Sequence, residues 1–102
     1  MAIDLYFYST NQTERAQSVL EAIRAEHPEL FENKFVIYSA TDADQLQKEI
    51  ASDYGFQAKS AFMISLNDKS AAASVLDVAG IVKDAFGEDR VIAMRGGDDG
   101  LL

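Results

Sequence analysis

Ile3-Asp4-Leu5-Tyr6-Phe7-Tyr8 and, one polar segment later, Lys34-Phe35-Val36-Ile37-Tyr38 are the two stretches whose reading decides the fold class. In an extended chain Ile3, Leu5 and Phe7 fall on one side and Tyr6 and Tyr8 on the other, so both faces are apolar. The second stretch also lacks polar alternation. Such strands are expected inside a sheet with a layer above and a layer below. Between them, Ser9-Thr10-Asn11 breaks the first strand, and Asn11 and Glu14 stand at capping-box spacing. A helix follows, with Ala16, Val19, Leu20 and Ile23 at intervals of three and four. Pro28 ends it, because proline cannot be accommodated by the preceding helical turn. Strand, helix and strand in this order predict a parallel pair joined by a right-handed crossover.

The remainder extends the same alternation. Thr41-Asp42 opens a second helix, with Asp42 and Gln45 at capping spacing, Leu46, Ile50 and Tyr54 as its stripe and Gly55 as its stop. Ser60–Leu66 reads as the third strand. Ala71–Phe86 fits a helix with Ala71, Val75, Val78, Val82 and Phe86 on one face and Gly87 at its end. A competing reading makes Ser74–Val78 a strand paired with the third across Asn67–Ser70, because Gly80 weakens a long helix by roughly 1 kcal/mol. The abundance of alanine and the length of the stripe favour the helix. Arg90–Met94 is the last strand. The expectation is a single α/β sandwich over residues 1–95, in βαβαβαβ order around a mostly parallel central sheet, with a polar Gly-rich tail at 96–102.

Composition closes several chemistries. The chain has 102 residues, 48% hydrophobic and 25% charged, which is a globular balance. Seventeen acids against nine bases give a net charge of −8, which argues against direct binding to nucleic acid or an anionic membrane. There is no cysteine and one histidine, His27, so thiol chemistry and Cys- or His-rich metal sites are excluded and no cofactor is expected. The N-terminus lacks the basic and apolar regions of a signal peptide, and no apolar run approaches membrane-spanning length. The expected location is the cytoplasm.

Two groups of residues are candidates for function. Ser9, Thr10, Asn11 and Thr13 form a turn at the carboxyl end of the first strand, where a helix N-terminus offers amides to an anion and Arg15 adds charge. The same residue types serve any helix cap, and the turn has neither a glycine for phosphate approach nor a P-loop lysine. Tyr54, Phe56 and Phe86 are candidates for a partner surface, Phe56 foremost because it follows the Gly55 stop. Asp42 and Asp44 resemble the start of a calcium loop, but the later ligands are missing.

The opening strand, its capped amphipathic helix and the strand Lys34–Tyr38 resemble the start of a thioredoxin- or glutaredoxin-like domain, over residues 3–66. The loop that holds the redox cysteines in that family is here Ser9–Thr13, without cysteine. Gln57-Ala58-Lys59-Ser60-Ala61 lacks the family's cis-proline. Arg95-Gly96-Gly97-Asp98-Asp99 resembles the glutathione-binding segment of glutaredoxins but stands at the chain end. The resemblance implies a cysteine-free binding module like the SH3-binding glutamate-rich group, with a flavodoxin-like sheet as the rival fold. Three functions follow. The first is a non-catalytic interaction or regulatory module whose partner is another protein with a basic surface. The second is a small-ligand or anion-binding protein, or an enzyme, using the Ser9–Thr13 turn. The third is an acidic inhibitor or decoy of a nucleic-acid-binding protein. The balance is against an enzyme. Purified protein is expected to show no turnover in an insulin-disulfide reduction assay, and measurable thiol-dependent turnover would contradict the argument from absent cysteine.

Overall fold

The structure, a computed structural model, describes residues 3–95. Its strands are β1 (Asp4–Ser9), β2 (Phe35–Ile37), β3 (Thr41–Asp42), β4 (Ser60–Leu66) and β5 (Val91–Arg95). Its helices are α1 (Thr13–Glu26), α2 (Pro28–Phe31), α3 (Gln45–Ser52) and α4 (Val75–Phe86), with 3₁₀ turns at Lys69–Ser74 and Glu88–Arg90. The expected tail at 96–102 and most of the segment compared with glutaredoxins lie outside the described residues.

The strands form one sheet in the order β2-β4-β1-β5, with β3 continuing the β2 edge along β4. Each neighbouring pair is antiparallel. This corrects the mostly parallel sheet read from the sequence, and with it the thioredoxin-like and flavodoxin-like architectures. β1 and β2 do run in the same direction and are joined through α1, but β4 lies between them and opposes both. In the same way α4 joins β4 to β5 across β1. The molecule is two interlocked split β-α-β units.

Both crossover helices cover one face of the sheet. Ala16, Leu20 and Ile23 of α1 and Val75, Val78, Val82 and Phe86 of α4 pack with Leu5, Phe7, Phe62, Ile64, Val91 and Ala93 in the main core. Phe7 and Phe62 are directly opposed in the β1–β4 register. Their rings stack at 4.9 Å and 8°, and Phe86 stacks on Phe62 at 5.3 Å and 20°. The stripe expected over 71–86 is therefore helical, although its first residues take the tighter 3₁₀ form. That turn begins at Asp68, whose carboxylate accepts from the Ser70 hydroxyl at 2.8 Å and amide at 3.0 Å. These bonds, the hydroxyl's first, hold the Asp68 carboxyl below its ordinary range. Gly55 and Gly87 end their segments with φ of 71° and 98°, a region costly for residues with a Cβ.

Two helix starts differ from the expected ones. Asn11 and Glu14 form no capping box: α1 begins after Gln12 without a side-chain cap. The Asn11 peptide is instead clamped, its amide donating to Ser9 Oγ at 2.9 Å and its carbonyl accepting from Ser60 Oγ at 2.8 Å. Ser9 and Ser60 are fully buried partners in the β1–β4 register, so these bonds satisfy hydroxyls that would otherwise be costly. The second box is Asp44 with Gln47, two residues beyond the Asp42–Gln45 pair, because Thr41 and Asp42 are taken by β3.

The outer edge of β2 is also engaged. The Tyr38 amide points at Met63 of β4, so by strand alternation the Ile37 carbonyl points away from the sheet. Arg24 of α1 donates to that carbonyl at 3.2 Å, and Gln17 accepts from the nearby Ala40 amide at 2.8 Å.

Truncation at the sheet centre should be costly. Ile64→Ala, at a fully buried site, is expected to lose about 2–5 kcal/mol in urea unfolding. Leu46→Ala, at a position 64% exposed on α3, should stay within about 0.5 kcal/mol of the parent. Equal losses for the two would contradict this core.

Candidate protein-binding face

Among the described residues, α3 and its flanking turns are what covers the second face of the sheet. Tyr8, Ala43, Ala51, Ala58 and Ala61 form a small core there, with Ile50, Phe56, Ile92 and Met94 packed against it. Beyond this end no described helix covers the face. Following the register, Tyr38 of the segment after β2 lies beside Met63 of β4, Met63 opposes Tyr6 of β1, and Tyr6 opposes Met94 of β5. One row of aromatic and thioether side chains thus crosses the sheet. Tyr6 is 38%, Val36 40% and Tyr38 48% exposed, and all three belong to this face. The other exposed large hydrophobics among the described residues sit on α3 (Leu46), in the turn after it (Tyr54) and on α4 (Leu76).

A depression of about 210 Å³ opens on this face, with Tyr6, Tyr8, Tyr38, Thr41, Gln47 and Met63 in its lining. Its rim is acidic. Asp44 bonds to Gln47 in the α3 cap, and Asp4, at the other end of the face, accepts from Ser65 at 2.6 Å. Burial pushes the Tyr8 phenol above its ordinary value, and the charges of Asp44 and Tyr6 push it the same way. Such a face can take flat or cationic groups on its rings and hydrogen-bond them through phenol tips.

The residues singled out from the sequence fall elsewhere. In the Ser9–Thr13 turn, Ser9 is committed to Asn11, Thr10 donates its amide to the Arg90 carbonyl at 2.9 Å, and the Thr13 hydroxyl donates to Asp42. The neighbouring cavity, about 390 Å³, is lined by Gln12, Thr13, Glu14, Asp42 and Lys59. Its charged lining is two carboxylates and one ammonium, a balance that does not favour an anion. Arg15 is not brought to this cavity; it lines another, with Val19, Ala22 and Ala85 of the helix layer. Phe86 is buried in the main core, which removes it from any surface. Phe56 is half-buried against the small core, and Tyr54 is 39% exposed. Among the described residues no group of three or more His, Asp or Glu could hold a metal ion, and no helix is long and apolar enough to cross a membrane.

Sequence reasoning separated Tyr6 and Tyr8 from Ile3, Leu5 and Phe7 but did not draw the consequence. The signal is present: Ile3, Leu5 and Phe7 on one side are hydrocarbon, and the other side carries phenols, the aromatics suited to a half-wet surface. Tyr8 also gives the face a pH signature. The fold favours the neutral phenol, so its contribution is complete below the ordinary value of 10.0 and is lost as pH rises above it, where the unfolded chain releases this proton first. Tyr8→Phe is expected to lose stability less steeply than the parent above pH 10 in denaturant titrations. Parallel curves would contradict the raised value.

Three comparisons bear on this architecture. A family model described as CDI System Immunity Component matches residues 1–99. Immunity protein CdiI-2 of Burkholderia pseudomallei (strain 1026b) is 42% identical over 95 residues, spanning 93% of this chain and 94% of that protein. A chain in the solved CdiA-CT/CdiI toxin and immunity complex from Burkholderia pseudomallei superposes with a TM-score of 0.88 at 41% identity, over 91% of this chain and 90% of that one. These findings overturn the thioredoxin and glutaredoxin resemblance, which rested on element order without strand adjacency. The chain belongs to the CDI system immunity component family.

Proposed function

We propose that this chain is an immunity protein that binds a CdiA-CT toxin and holds it inactive, in the cytoplasm of the cell that makes it. The observation that carries this reading is the likeness, over nine-tenths of both chains, to a member of a toxin and immunity complex. Inhibition of this kind needs no chemistry from the inhibitor, only occupancy. An excess of eight acidic charges suits a basic partner, because complementary potential speeds encounter and rejects wrong partners. Of the functions raised by the sequence, the inhibitor is the one this likeness favours. The interaction module survives without its thioredoxin-like frame, and the Ser9–Thr13 turn has the least support.

Producing the CdiA-CT toxin domain of the same strain in a host cell should arrest growth, and co-producing this chain should restore it. The two purified proteins should co-elute, and the toxin should raise the melting temperature of this chain. At a free toxin concentration one hundred times Kd the added stability is about 2.7 kcal/mol. Continued arrest together with separate elution would overturn the reading.

A further inference from the structure

We propose that the open sheet face is where the toxin docks, and that the slot between Tyr6 and Tyr38 receives a lysine or arginine side chain of the toxin. The inference rests on the immunity reading and adds to it the surface and the chemistry of the group recognised.

The slot has its shape from the sheet. Tyr6 and Tyr38 are each adjacent to Met63 across one strand spacing, so their backbones stand roughly 10 Å apart. Met63, which lines the same depression, forms a floor that adapts to what rests on it. The phenol rings of Tyr6 and Tyr38 line the depression with Met63, and the face of such a ring attracts a cation. A flat guanidinium or a slim ammonium stem fits that space and is attracted to both rings.

Charge argues the same way. The residues lining the depression include no lysine or arginine. Asp44 stands close enough to raise the Tyr8 phenol, and Asp4 lies on the same face at the other end of β1. An incoming cation therefore meets aromatic side chains in the depression and carboxylates elsewhere on the face, with the neutral phenol tips as acceptors. A purely apolar partner segment would leave Asp4, Asp44 and three phenols facing hydrocarbon, which is unfavourable.

The test uses the full chain and the CdiA-CT domain of the same strain. Tyr6→Ala and Tyr38→Ala should each weaken binding roughly 30-fold or more by titration calorimetry, while Tyr6→Phe and Tyr38→Phe, which keep the rings, stay within roughly fivefold. Asp44→Asn keeps an N-cap for α3 but removes the charge. It should weaken binding about 3- to 10-fold and flatten the salt dependence. Leu76→Ser, on the helix layer, should bind like the parent. Melting curves of each variant separate lost binding from lost fold, and Tyr38→Lys supplies a second variant that repels a cation without depending on truncation. A photo-crosslinking phenylalanine analogue at position 38 should attach to a toxin peptide containing lysine or arginine. Parent-like binding by folded Tyr6→Ala and Tyr38→Ala would overturn the docking face. A crosslink to a segment without basic residues, or an Asp44→Asn variant with unchanged affinity and salt slope, would overturn the cationic occupant. Failure of the parent itself to bind would instead remove the immunity reading on which the proposal stands.

Discussion

The opposition of Phe7 and Phe62 across β1 and β4 governs this molecule. It sits at the middle of the longest strand pairing, and Phe86 of α4 extends the stack into the helix layer. With β4 on one edge of β1 and β5 on the other there is no room for β2 beside β1, so the first crossover steps over a strand, and the second does likewise. Both long helices then arrive on the same side. Among the described residues the other side is left to α3, whose eight residues reach about 12 Å, less than the width of the sheet. An uncovered face follows from that pairing.

The elements themselves were legible. The third strand was read with its observed limits, Ser60–Leu66, and the stripe of Ala16, Leu20 and Ile23 is the buried face of α1. Periodicity is local, and a strand records which of its residues point together. It does not record its neighbour. Ile3–Tyr8 looks the same whether β2 or β4 lies alongside, so chain order alone assigns it the wrong neighbour. β3 was invisible because two residues, Thr41 and Asp42, carry no period at all. Asp42 and Asp44 both stood at cap spacing from a glutamine, and only the pairing of β3 with β4 decides between them.

The face was half legible. Tyr6, Tyr8 and Tyr38 were placed on strands, and their phenol tips already separated them from the hydrocarbon side. What remained hidden was which of them α3 would cover. Phe56 and Phe86 drew attention as aromatics near helix ends, yet helix ends lie over the sheet as often as off it. Here Phe56 closes the small core under α3, and Phe86 joins the ring stack.

Arg24 and Gln17, reaching around β2 to its outward carbonyl and the Ala40 amide, have a consequence for the life of the free protein. A bare strand edge is a template on which other copies polymerise. Here two side chains from the preceding helix occupy that template within the same chain, so the engagement is independent of concentration and needs no partner. That engagement works against self-association at this edge. Recognition is thereby left to side chains, which can be exchanged one at a time without disturbing the hydrogen-bonded frame beneath them.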